Sequence, residues 1–126
     1  MATKKNSGSV ARDRLRPQIR IMFRKVIAMG PGKAALLQSI AETGSISAAA
    51  RQMEMSYRRA WLLVDTMNQC FKSPVVVTLT GGKSGGGAAV TEFGMLVLDR
   101  YRKMETKASA SVARELGEFA SLMTAD

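Results

Sequence analysis

Three observations predict a mostly α-helical fold that carries a β-hairpin wing and ends in a long helix for this 126-residue chain. Apolar residues recur at helical spacing in successive stretches, a glycine-rich loop separates two short apolar runs, and a last apolar stripe continues almost to the C-terminus.

The elements follow in order along the chain. Residues 1–17 are polar, small and basic, without an apolar period, and read as a disordered arm. Ile19, Ile21 and Phe23 then alternate with Arg20, Met22 and Arg24, the period of a half-buried strand, which predicts a strand at about Gln18–Ile27. Gly30-Pro31-Gly32 breaks the chain. Leu36, Leu37, Ile40 and Ala41 recur at helical spacing before Gly44, so a first helix is expected at about Lys33–Thr43 with Gly44 closing it. Ser45 and Ser47 offer oxygens to the free N–H groups of a short second helix through Met53, built mainly of good helix formers. Glu54-Met55 forms the turn. Ser56 then caps a third helix from Tyr57 to about Phe71, whose buried stripe is Ala60, Val64, Met67 and Phe71.

Pro74 stops that helix, and the β-branched run Val75–Thr80 reads as a strand. Gly81–Gly87 cannot be regular structure and Ala88-Ala89-Val90 returns as a second strand, so the pair is a hairpin with a long tip. Thr91 caps a last helix whose stripe runs through Phe93, Leu96, Tyr101, Val112, Leu116 and Met123. Strand, helix, helix, tight turn, helix, hairpin and long helix is the order of a winged helix-turn-helix. The division expected is the arm at 1–17, the winged helix-turn-helix at 18–103, and at 104–126 the continuation of a C-terminal dimerisation helix.

Composition narrows the function. The net charge is +9, and residues 1–25 hold eight bases against one acid whereas residues 91–126 hold five against six. Such asymmetry favours a polyanionic partner, because neutralising phosphates releases condensed counterions. No run of about 20 apolar residues is present to span a bilayer and no secretory signal opens the chain, so a cytoplasmic protein without a membrane partner is expected. With Cys70 alone and no histidine, a disulfide, a cysteine metal cluster, the usual zinc sites and His-assisted nucleophiles are all excluded. Neither an enzyme, a cofactor nor a metal site is expected.

In a winged helix-turn-helix the third helix enters the major groove with its first residues toward the base edges. Here these are Ser56, Tyr57, Arg58, Arg59 and Trp61. An arginine donates two hydrogen bonds to guanine, and tyrosine reaches phosphate or stacks. An isolated Arg-Arg pair would be a solvated helix face; at the start of a helix placed between a short capped helix and a hairpin, it reads as base contact. Trp61 is equally consistent with contact and with packing on the core edge. The loop Gly81–Gly87 lacks Walker spacing and leads into a strand, so it is not a nucleotide loop. Its small residues suit close approach of backbone to phosphate, with Lys83 adding charge, Ser84 a hydroxyl and Gly85 space. The expected DNA-contact set is these residues together with Ser45 and Ser47 of the second helix.

Gly30-Pro31-Gly32-Lys33 through Leu37, then Ile40-Ala41-Glu42-Thr43-Gly44-Ser45-Ile46-Ser47-Ala48-Ala49-Ala50-Arg51, closely resembles the DNA-binding domain of the ModE family of molybdate-responsive regulators. Met55-Ser56-Tyr57-Arg58-Arg59-Ala60-Trp61, Asn68, and the stretches Thr80-Gly81-Gly82 and Gly85–Ala88 extend the match across about residues 18–103. Thr43–Met55 alone also looks like the helix-turn-helix of LysR-type regulators, from which SYRRAW separates it. The resemblance implies a transcriptional regulator that binds double-stranded DNA as a homodimer, with a link to molybdenum metabolism. Two-domain members of the family continue into a domain that holds molybdate, whereas this sequence stops at Asp126; it is similar to the shorter, DNA-binding-only members, and molybdate is not expected to bind this chain alone. The alternative reading is an architectural or RNA-binding basic protein without base-specific readout.

Overall fold

A computed structural model describes residues 15–80 and 87–124. The chain divides into two units, one spanning Arg20–Arg102 and the other taking in residues 15–19 and 103–124 among those described. The described residues are mostly helical, with two separate two-stranded antiparallel sheets.

The larger unit opens with a hairpin where a single strand was expected. Strand β1 (Ile21–Phe23) pairs with β2 (Val26–Met29), matching Phe23 to Val26 and Met22 to Ile27 before a register shift between Ile21 and Met22. Arg24 makes the turn at φ 58°, a conformation that usually selects glycine or asparagine. Because no such residue marks the reversal, the apolar alternation reads straight through it.

Helix α1 (Pro31–Thr43) starts two residues before the expected Lys33, with Pro31 in the first turn, where a missing N–H costs nothing. It ends where expected: Gly44 adopts φ 71° and donates its N–H to the Ile40 carbonyl at 2.8 Å. Helix α2 (Ile46–Gln52) is capped by Ser45, whose hydroxyl oxygen accepts the Ala48 N–H at 3.0 Å. The turn passes through Glu54 at φ 56°, and helix α3 (Tyr57–Cys70) begins at Ser56, which accepts the Arg59 N–H at 3.0 Å. Helices α1, α2 and α3 pack on one another around Leu36, Leu37, Ile40, Ala49, Ala60 and Met67, which are sealed from solvent to within 1%. The buried Ser39 hydroxyl donates to Gln52 Oε1 and so ties α1 to α2.

Strands β3 (Val76–Leu79) and β4 (Gly87–Val90) form the second hairpin, in register from Val76 opposite Val90 to Leu79 opposite Gly87. Thr91 caps helix α4 (Glu92–Ser111) by accepting the Gly94 N–H at 2.8 Å. The single helix expected to run from here to about residue 123 is interrupted at Val112, after which α5 (Ala113–Ala120) resumes. The cause is local: the Ser111 hydroxyl bonds back to the Ala108 carbonyl at 3.0 Å, and the β-branched Val112 takes φ −113°, ψ 13°. The backbone ladder still bridges the distortion, with Leu116 N–H on the Val112 carbonyl at 2.8 Å. Within residues 103–124, Val112 and Leu116 are half-buried, while Met104, Phe119, Leu122 and Met123 are exposed.

Candidate nucleic-acid interface

Serine capping fixes where the two central helices begin, and therefore which side chains stand at their ends. Because Ser56 is the cap of α3, Tyr57, Arg58 and Arg59 occupy its first turn, and Trp61 follows on the same face as Tyr57 at a spacing of one turn. All four are exposed, Tyr57 at 54% and Trp61 at 42%, fractions too large for core aromatics. Among the described residues neither the Arg58 nor the Arg59 guanidinium is neutralised by an ion pair. Burial holds the Lys33 ammonium below lysine's ordinary range; the Cys70 sulfur opposes that shift, and the nearby Arg59 charge adds to it. Lys33 thus shares a positive neighbourhood with Arg59, a relation that its position at the start of α1 did not reveal.

Three of the expected contact residues meet at one groove. Ser45, Ile46, Ser47 and Tyr57 form one wall, and Thr78, Leu79, Gly87 and Ala88 of the hairpin form the other, around a volume of about 280 Å³. Ser47 is exposed in the first turn of α2, whereas Ser45 is half-buried with its oxygen engaged as a cap. Trp61 borders two further depressions, one with Tyr57, Arg58 and Leu62, the other with Ile46, Val64, Asn68 and Val76. The ring is thus partly exposed and borders Val76 and Val77 of the hairpin. Lys83, Ser84 and Gly85, expected at the wing tip, lie outside the described residues.

Asn68 has a role here that sequence reasoning missed. Its Oδ1 accepts the N–H groups of Val75 at 2.8 Å and Val76 at 3.3 Å, and its Nδ2 donates to the Val76 carbonyl at 3.0 Å. The available signal was its place: Asn68 follows Ala60 and Val64 at intervals of four, a polar residue on an otherwise buried stripe.

No helix among the described residues is long and apolar enough to cross a membrane. No protein-family model matches the chain. Individual relatives do. The molybdenum-pterin-binding protein MopB of Rhodobacter capsulatus is 41% identical over 106 residues, covering 84% of this chain and 38% of its own. The molybdenum transport protein ModE of Azotobacter vinelandii is 36% identical over 87 residues, 69% of this chain and 32% of its own. The DNA-binding transcriptional dual regulator ModE of Escherichia coli K12 is 41% identical over 71 residues, 56% of this chain and 27% of its own. These relatives are named for molybdenum binding, transport or regulation rather than for catalysis. The chain spans about a third of the length of the curated relatives it matches, and it is on this evidence a homologue of one part of the ModE and Mop proteins.

Proposed function

We propose that the chain is a winged helix-turn-helix regulator that binds double-stranded DNA in a sequence-specific manner. The observation that carries this reading is the start of α3. Tyr57, Arg58, Arg59 and Trp61 project there, exposed and without an acidic partner among the described residues, beside a hairpin whose strands share a groove with α2. In this role α3 is the recognition helix, Arg58 and Arg59 address base edges, and Ser45, Ser47 and Ser56 lie near phosphates. The β3–β4 hairpin is the wing, and Lys83, Ser84 and Gly85 of its loop approach the backbone. The name of the Escherichia coli relative, a DNA-binding transcriptional regulator, is in keeping with this, and the other names support a connection to molybdenum.

The regulator works as a homodimer. Met104, Phe119, Leu122 and Met123 are exposed along α4 and the segment beyond it, a concentration of apolar surface that a second copy would remove from water. Two-fold pairing also sets two recognition helices against half-sites about one DNA turn, roughly 34 Å, or a multiple of it apart.

The test selects a duplex from a randomised library with the full chain, then competes it with random duplex in a fluorescence anisotropy titration. Sequence-specific recognition predicts a preference of at least about 1,000-fold for the selected site at physiological salt. Equal competition by random duplex or by RNA would replace this reading with that of an architectural or RNA-binding protein.

A further inference from the structure

The Val75 peptide, which is shielded completely from solvent, is gripped by two helices at once. From α3, Asn68 accepts its N–H at 2.8 Å while also bonding both polar groups of the Val76 backbone. From the start of α4, the Thr91 N–H donates to the Val75 carbonyl at 3.0 Å and the Thr91 hydroxyl to the Pro74 carbonyl at 2.7 Å. The partner strand is tethered independently, since the Ala88 N–H donates to the Gly44 carbonyl at 2.9 Å. The β3–β4 hairpin is therefore bonded at its root to α3 and α4 and through Ala88 to the α1–α2 loop, while β3 is exposed beyond Val76 and β4 stays half-buried to buried.

We infer that Asn68 is a positioning residue for DNA recognition, which fixes the hairpin to the helix that carries Tyr57 and Arg58 so that both meet a duplex as one rigid surface. The inference rests on the proposed reading of α3 and the hairpin. The carboxamide suits the task because it accepts and donates within one planar group. Aspartate keeps the two acceptor bonds but has no donor for the Val76 carbonyl, and alanine has neither. A hairpin loosened on its α3 side, though still held by Thr91 and Gly44, would leave the arginines of α3 free to attract any duplex. It would no longer hold a register with the bases under α3, so specific binding suffers while non-specific binding does not.

The experiment compares the wild-type chain with Asn68→Ala, Asn68→Asp and Ile40→Val, the last a substitution in the α1 core that removes one buried methyl group and no hydrogen bond. Amide exchange of Val75 and Val76 is followed by NMR without DNA, and affinity is measured for the library-selected duplex and for random duplex at one salt concentration. For Asn68→Ala the two amides are expected to exchange at least about tenfold faster. Its preference for the selected duplex should fall about tenfold with random-duplex affinity held within about twofold, and Asn68→Asp should lie between it and wild type. Ile40→Val should lower the melting temperature without changing the preference. Should Asn68→Ala fail to fold, Asn68→Asp carries the same comparison. Unchanged amide exchange would overturn the clamp. Faster exchange with an unchanged preference would overturn the positioning role. A wild-type chain that fails to discriminate between the duplexes would refute the functional reading, and the inference with it, while the exchange data alone would still report on the clamp.

Discussion

Replacing Gly94 with alanine sets a small gain in helix propensity against a backbone collision. A Cβ at this position would stand 2.3 Å from the Val75 carbonyl oxygen and 2.8 Å from Val90 Cγ1. A relaxed carbon–oxygen contact lies near 3.3 Å, so the first turn of α4 and the hairpin root must separate by about 1 Å. Neither side yields easily, because the obstacle is backbone that Asn68 and Thr91 already hold in place. Overpacking of this kind costs about 1–3 kcal/mol. Weakening the Thr91 N–H bond to Val75, 3.0 Å in the native fold, adds about 1 kcal/mol. The better helix propensity of alanine returns up to about 1 kcal/mol. The net is a loss of about 1–3 kcal/mol, which for a domain of this size lowers Tm by roughly 4–12 °C. Gly32→Ala provides the contrast, since a Cβ at Gly32 meets nothing within 4 Å. It should stabilise the fold by about 0.4–1 kcal/mol. Both variants are read by thermal and urea unfolding followed by far-UV circular dichroism. A Gly94→Ala protein that melts at or above the wild-type temperature would show that the hairpin root is not locked against α4.

Arg58→Ala and Arg59→Ala should each weaken binding to the selected duplex by about 1–3 kcal/mol at an unchanged melting temperature, and unchanged affinity in both would remove α3 from the recognition role. Lys83→Ala should lower affinity for all duplexes alike and flatten the salt dependence by about one counterion, whereas a shift in base preference at constant slope would speak against a phosphate contact. Ser45→Ala and Ser56→Ala each delete a helix cap seen at 3.0 Å and should cost about 0.5–2 kcal/mol in denaturant titrations. Charge placed at Val112 and Leu116 together should yield monomers in sedimentation and weaken binding to a palindromic site far more than to a half-site. A wild-type chain that sediments as a monomer at micromolar concentration while binding its site tightly would rule out the dimer.

Local chemistry made much of the architecture legible. Gly44 stops α1 because it takes the left-handed conformation without penalty, and Ser45 and Ser56 start the next two helices because each satisfies an N–H that the helix itself leaves open. These three signals act within four residues of themselves, so they survive without tertiary context. They also set which residues of α3 are presented, and the exposure of Tyr57, Arg58, Arg59 and Trp61 follows from the same stripe that buries Ala60, Val64 and Met67.

What misled was also local in origin. The Arg24 reversal carries no turn residue, and the interruption at Val112 lies in a run of alanine and serine that reads as helix throughout. Tertiary structure alone decided three things. It set the hairpin root on α3 through Asn68, it paired Lys33 with the field of Arg59, and it left Gly94 as the sole residue type able to lie against the Val75 carbonyl. Each of these joins groups that are distant along the chain, and a sequence records the spacing of residues within an element far more directly than the distance between elements. A capping serine is recognisable because its partner is three residues away; the partners of Asn68 follow it by seven and eight residues across a helix end, where their meeting depends on how α3, β3 and α4 pack together.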